Sequence, residues 1–402
     1  MAEQRADVII IGGGMVGLAL AIGLADAGLE VTVVEAREPP AWQRDHVSNR
    51  VSAVTPASRR ILERLGAWEA IAAGRVSPFE AIRAWDAAGH PGVTFDAADR
   101  GEPCLGYIIE NPLIQDALRQ AAGRRHRVSL YCPVGVEELD VGADSATVRL
   151  DDGRRLRGRL LVGADGASSL VRRHAGIGVA EHDYGQRGIV ATVATEQHHG
   201  ATARQRFLPA GPLALLPLAD GRCSLVWSAT AERARELEAM DEAAFNTALS
   251  GASEEVLGRV TASGDRAAFP LRRLHARAYV APRVALVGDA AHVIHPLAGQ
   301  GVNLGFLDAA ALVDVLAAAR EADRDIGGVG ALRRYARWRR GDNAFMQRAM
   351  DGFQWLFSND DPVRGILRNL GLSVTDRLAP AKALFVDHAL GRRGELPSLA
   401  RG

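Results

Sequence analysis

Lysine is nearly missing from this chain: Lys382 is the one lysine among 48 basic residues in 402. Arginine supplies the rest, and 48 acidic residues bring the formal net charge to zero. A chain so balanced lacks the basic excess of a nucleic-acid binder, and no nucleic-acid partner is expected. Cysteine is scarce as well. Cys104, Cys132 and Cys223 are odd in number, far apart and without a Cys-x-x-Cys pair, so neither a disulfide framework nor a zinc site is indicated and no metal is expected. No apolar run reaches the roughly 20 residues that a membrane-spanning helix needs, and no signal-type segment precedes the first apolar strand. The expected location is the cytoplasm, with peripheral contact on the inner membrane as an added expectation.

Glycine, in contrast, is plentiful, and it gathers where apolar runs end. The run at 7–11 leads into Gly12-Gly13-Gly14-Met15-Val16-Gly17, so Gly12, Gly14 and Gly17 satisfy GxGxxG. A helical stretch follows, Gly28 stops it, and a second buried strand ends in Glu35, about 20 residues past the motif, where a ribose-binding acid belongs. The glycines permit a tight turn and the approach of a pyrophosphate to backbone amides, and Glu35 accepts from ribose hydroxyls. This fingerprint indicates a dinucleotide and leaves NAD and FAD both open.

A second corner follows the buried run at 160–162: Gly163-Ala164-Asp165-Gly166, with Ser168, Ser169, Val171 and Arg172 opening a helix. The third lies within 284–310, VALVGDAAHVIHPLAGQGVNLGFLDAA. Asp289 ends a strand there and can accept from sugar hydroxyls. Pro296, Gly299 and Gly301 remove side chains and donors so that backbone can approach a flat ring, and the helix behind them presents amides that favour negative charge. A flavin suits such a floor. Arg50 lies in an extended segment before a helix that Thr55 and Pro56 cap, within reach of cofactor phosphates or a ring edge. Asn111 and Pro112 start another helix, with Gln115 on the face that could touch the cofactor.

Between 128 and 150 the pattern reads as a β-meander, and from 185 to 269 as a separate sheet with one helical stretch. The apolar strand at 213–218, with Leu213, Leu215 and Pro217, is a candidate pocket wall. Beyond Gly330 the chain turns helical, and a further helix is expected at Asp361-Pro362. Its apolar stripe, from Leu332 and Tyr335 to Phe357, reads first as core; beside the cluster Arg337, Arg339 and Arg340 it also suggests docking to partners or a membrane surface.

Together the three corners resemble the flavin-dependent aromatic hydroxylases, whose fold is that of 4-hydroxybenzoate hydroxylase. HPLAGQGVNLGFLDA at 295–309, FLPAGPLALLPL at 207–218 and RRYARWRRGDNAFMQRAMDGF at 333–353 resemble the ubiquinone-biosynthesis members in particular, and nearly the whole chain is covered. The resemblance implies an α/β fold in which a Rossmann-like FAD-binding domain (1–75, 101–184 and 270–330) interleaves with a β-sheet substrate domain (76–100 and 185–269), followed by a helical carboxy-terminal region (331–402). It implies noncovalent FAD, NADPH or NADH as transient reductant, dioxygen as cosubstrate, a polyprenyl phenol substrate hydroxylated on the ring at C5 or C6 rather than C1, homo-oligomerisation and a ubiquinone-biosynthesis complex. The implied cofactor residues are Gly12, Gly14, Gly17, Glu35, Arg50, Gln115, Asp165, Gly166, Asp289, Pro296, Gly299, Gln300, Gly301, Val302 and Asn303. Leu213, Leu215, Pro217, His295 and Leu297 would line the substrate pocket. No residue is singled out as a catalytic base, and structural or flavin-contact roles suit His292 and His295. A nicotinamide dehydrogenase would leave Asp165 and Asp289 without a purpose, and no two tryptophans stand two apart as in a flavin halogenase. A hydroxylase of another small phenol, or a non-catalytic flavoprotein scaffold, would carry the same cofactor residues.

Overall fold

The computed structural model describes residues 3–86, 92–294, 301–357 and 395–402, with side chains as far as Met346 in the last long helix. Five parallel strands organise it. Val284–Leu286, Arg155–Gly163, Gln4–Ile11, Val31–Val34 and Val128–Tyr131 lie side by side in that order within an eight-stranded sheet. These strands read as continuous β-branched and apolar runs because both faces are covered, and Val8, Ile9, Ile10, Leu160, Leu161 and Val162 are wholly buried. The helix Met15–Asp26 packs on one side of the sheet against Gly301–Glu321.

The meander expected from 128 to 150 forms differently. Val128–Tyr131 is the parallel edge of the main sheet, whereas Ala146–Leu150 pairs antiparallel onto Arg155–Gly163 and Val136–Val141 pairs antiparallel onto Ala146–Leu150. Local alternation shows that strands exist and says nothing of their partners, which is why the sequence pattern merged two sheet neighbourhoods.

A second, nine-stranded sheet stands beside the first, with Val179–Thr195 as its longest member. Its far face carries two helices, Ala231–Ala239 and Glu242–Ala252, where one helical stretch was expected; Asp241 caps the second through its bond from the Ala244 amide. Val76–Phe79 pairs with Gly106–Glu110 in a three-stranded sheet on the dinucleotide side, and Val179–Thr195 pairs along Ala267–Ala276, so 179–184 and 270–276 belong to the second sheet.

The helix Gly301–Glu321 is long and apolar enough to cross a membrane by length and composition, contrary to the reading that no run is, but 72% of its apolar window is buried as the central helix of the core. The helix Val329–Phe357 packs against it. Leu332, Tyr335 and Met346 are buried, and the Tyr335 hydroxyl donates to the Leu286 carbonyl at 2.7 Å. This helix therefore belongs to the dinucleotide core through at least Met346. The helix expected at Asp361-Pro362 lies outside the described residues.

Candidate active site

The three corners singled out in the sequence, with Glu35, converge because their strands are neighbours. Gly12 follows Ile11, Glu35 follows Val34, Asp165 follows Gly163 and Asp289 follows Leu286 by three residues, all at carboxyl ends of adjacent parallel strands, where open α/β sheets bind ligands.

Each motif glycine answers a different steric demand. A Cβ on Gly12 would lie 2.3 Å from the Ala164 carbonyl oxygen, and Gly12 has φ +108°; a Cβ on Gly17 would lie 2.0 Å from the Gly12 oxygen. Those two close the turn onto the neighbouring strand and its own helix. Gly14 is the opposite case. It caps Met15–Asp26, and a Cβ there would meet nothing within 4 Å, so the missing side chain leaves open room directly before a helix N-terminus, as an approaching phosphate requires.

Around that opening the polar groups are held but not saturated. Glu35 accepts the Gly13 amide at 2.8 Å and the Arg37 amide at 3.0 Å, one on each carboxylate oxygen, which fixes the group and leaves each oxygen capacity for a ribose hydroxyl. Gln115 Nε2 donates to the Gly13 carbonyl at 3.1 Å. Asp165 Oδ2 accepts from the Leu170 and Val171 amides at 2.6 and 3.2 Å, whereas its Oδ1 is buried with no partner among the described residues. Gly166 follows with φ +77°. An orphaned carboxylate oxygen beside a glycine-lined opening fits a dinucleotide that brings its own donors.

Asp289 is exposed by surface area yet hemmed in by protein on nearly every side, as befits a residue at the foot of a deep crevice. Burial pushes its carboxyl up, and the charges of His292 and Arg50 offset part of that rise. Arg50 is thus brought toward Asp289, and its own carbonyl accepts the Asn111 amide at 2.9 Å. His292 is turned inward, 2% exposed, with Nε2 2.5 Å from Asp308.

Asp308 was missed in the sequence. It is fully buried and accepts from the Gly288 amide (3.1 Å), His292 Nε2, Arg339 Nε (2.8 Å) and Asn343 Nδ2 (3.0 Å). Burial pushes this carboxyl up, but His292 and Arg339 overcome it and bring it down to about 2. Arg339 also donates to Asp342 and Asn343, at 3.0 and 2.9 Å. The last long helix is therefore wired into the turn that carries Asp289. Arg339 accordingly leaves the surface cluster assigned to it, and the exposed basic face of that helix is Arg333, Arg334, Arg337 and Arg340. An acid in the middle of LGFLDAAAL was the available signal, since a charge on an otherwise apolar helix face needs a buried partner. Arg172 is a second structural cation, donating to the Ala290 and Ala167 carbonyls at 2.8 and 2.6 Å and so clasping two of the corners together.

Two expected cofactor residues also make contacts within the protein. Asn303 donates to the Ala53 carbonyl at 2.8 Å and accepts the Thr55 amide at 3.0 Å, so its amide is used to lock the start of the helix Pro56–Arg64. Val302 packs against the core around Leu18 and Phe306. Nothing crowds a Cβ at Gly301. His295, Pro296, Leu297, Gly299 and Gln300 lie outside the described residues.

The expected pocket wall is on the wrong face of its strand. Leu213 and Leu215 are 1% and 2% exposed and pack with Ile189, Leu225, Leu237 and Phe245 beneath the two helices. Pro217 follows the same alternation, opposite Cys223. The face turned to the dinucleotide side carries the alternate set. Ala214 and Leu216, with Val226, pack toward Ala53 and Ile108, and the Thr192 hydroxyl donates to Asn49, next to Arg50, at 3.4 Å. Val190, Thr192, Ala214, Leu216, Ser224 and Val226 share this face by register, and none is charged.

Comparison with known proteins agrees with this geometry. Residues 5–340 match the family described as "FAD binding domain". The chain is 43% identical to the 3-demethoxyubiquinol 3-hydroxylase of Escherichia coli, over 97% of this chain and 100% of that one, and 39% identical to the ubiquinone hydroxylase UbiL of Rhodospirillum rubrum, over 100% and 94%. Human ubiquinone biosynthesis monooxygenase COQ6 is 35% identical over 94% of this chain and 90% of its own. The fold is shared with p-nitrophenol 4-monooxygenase PnpA of Pseudomonas putida, at TM-score 0.79 and 20% identity over 98% of this chain and all of that one. The chain belongs to the FAD-binding-domain family and is an FAD-dependent aromatic-ring monooxygenase, with ubiquinone hydroxylases as its relatives.

Proposed function

We propose that this enzyme hydroxylates the ring of a polyprenyl phenol on the route to ubiquinone. The observation that carries the reading is the uncharged sheet face of Val190, Ala214, Leu216 and Val226, turned toward Ala53 and Ile108 on the dinucleotide side. A small carboxylate substrate would call for a cationic clamp, whereas a prenyl tail gains about 0.8 kcal/mol for each methylene it buries and leaves the ring only to be positioned. A relative named for acting on a demethoxylated ring inclines the assignment to C5 or C6 rather than C1.

Bound FAD would supply the redox chemistry, drawing on a nicotinamide reductant and dioxygen. The protein's own groups do the holding. The Gly14 opening admits the pyrophosphate to the helix amides, Glu35 takes the ribose, Asp165 Oδ1 and Asp289 take donors farther along the cofactor, and Gln115 steadies the Gly13 turn. The apolar sheet face keeps water from the ring. Contact with an anionic membrane surface fits the exposed Arg333, Arg334, Arg337 and Arg340, which lie beside a Phe345 that is 52% exposed.

The test is deletion of the gene, followed by mass spectrometry of quinone intermediates and complementation. A demethoxy or deshydroxy prenyl intermediate should accumulate, and Val226→Arg, on the partly exposed centre of the face, should keep FAD yet fail to restore ubiquinone. Normal ubiquinone in the deletion strain, with no redundant hydroxylase present, refutes the assignment.

A further inference from the structure

One polar group on the substrate face has no role in what precedes. Ser224 is 1% exposed, and its hydroxyl has no hydrogen-bond partner among the described residues. Register places it between Thr192 and Leu216 on the flanking strands, on the same face as Ala214 and Val226 and opposite to Leu225. Its polar neighbours are engaged elsewhere: Thr192 donates to Asn49, and Asn49 Nδ2 donates to the Asp265 carbonyl at 2.7 Å. A buried hydroxyl without a partner is a standing penalty that alanine would remove, so a serine at this point calls for an occupant. The surrounding face is uncharged, which selects a neutral oxygen over a carboxylate or phosphate.

We infer that the Ser224 hydroxyl is a specificity-determining contact that pairs with a neutral oxygen substituent on the substrate's aromatic ring and thereby sets which ring edge faces the crevice. The inference rests on the phenol reading above. A hydroxyl both donates and accepts, so Ser224 can serve a phenolic O–H or an alkoxy oxygen alike. The apolar residues beside it hold the ring plane without choosing a rotation, and Ser224 supplies that choice.

The experiment uses FAD-loaded enzyme and two probes, a short-chain prenyl phenol and the prenylbenzene that lacks the ring oxygen, with binding read from the perturbation of flavin absorbance. Wild type should prefer the phenol about three- to tenfold, the worth of one neutral hydrogen bond. Ser224→Ala should bind both alike, through weaker phenol binding, with an unchanged or higher melting temperature. Ser224→Thr, which keeps the hydroxyl, should retain a preference. The inference is overturned if Ser224→Ala keeps the wild-type preference, or if it melts several degrees lower, which would make the hydroxyl structural. Equal binding of both probes by wild type overturns it too, and leaves the phenol reading to the quinone profile. Binding of neither probe, with normal ubiquinone in the deletion strain, removes that reading and this inference together.

Discussion

Replacing Arg339 by methionine tests whether the last long helix supports the cofactor floor. The guanidinium is 2% exposed and spends three nitrogens on three acceptors, Asp308, Asp342 and Asn343. Methionine fits the volume of the stem but leaves Asp308 buried and short of one of its two counter-charges. Breaking a buried ion pair from one side costs about 3–5 kcal/mol, and the lower end applies here because the Gly288 amide, His292 and Asn343 stay on Asp308. With an unfolding entropy of about 0.8 kcal/mol/K for 402 residues, the melting temperature should fall by about 4 °C. Arg339→Lys should recover little of the loss, since one ammonium cannot reproduce a planar three-way fork. Arg340→Met, one residue along and exposed, is the control and should stay within about a degree. Thermal melts of the FAD-free proteins give the comparison, and FAD retention on a desalting column gives the second readout, because the Asp308 bond to the Gly288 amide shapes the turn before Asp289. Equal melting of the two variants would refute the reasoning.

Gly14→Val should leave the melting temperature of the FAD-free protein nearly unchanged, since a Cβ there meets nothing, while abolishing the yellow colour of the purified protein; a yellow variant would count against phosphate entry at Gly14. Asp289→Asn should weaken flavin retention and, because burial raises the Asp289 carboxyl, leave the FAD-free protein as stable or more stable at neutral pH; a lower melting temperature there would contradict the crevice. Asp308 is depressed to about 2, so its contribution is complete above the ordinary carboxylate value near 3.9 and is lost as pH falls through the interval down to about 2. That is about 2–3 kcal/mol, and Asp308→Asn should flatten the corresponding acid limb in urea melts taken between about pH 5 and 2. Leu215→Arg should fail to fold, because it puts a charge beneath the helices, whereas Val226→Arg folds and holds FAD; similar soluble, yellow yields of the two would reverse the assigned faces.

The dinucleotide half was legible because its demands are local. A turn that must pass within van der Waals contact of a neighbouring carbonyl tolerates only glycine, so Gly12 and Gly17 announce a close approach that the Ala164 and Gly12 oxygens then supply. Thr55 and Pro56 likewise fix a helix start through bonds that span three residues, and the helix Pro56–Arg64 begins there. What pairs across long separations left weaker marks. Asn303 reads as a cofactor residue from its glycine-rich surroundings, and nothing there signals that its side chain also bonds Ala53 and Thr55, some 250 and 248 residues away.

The substrate face was misread for a reason of the same kind. The strand Gly211–Pro217 is buried at every position, so its sequence is apolar on both faces and carries no alternation from which to choose one. The choice is made by its partner strands. Cys223–Thr230 alternates leucine and tryptophan with Ser224, Val226 and Ser228, and its register against Gly211–Pro217 assigns Leu213 and Leu215 to the leucine side. The polar half of that neighbouring strand therefore tells which half of the apolar strand meets the ligand. A one-residue slip in this pairing would exchange the two faces and move Ser224 into the helix-covered core, so the register that builds the fold also decides which side chains the substrate can touch.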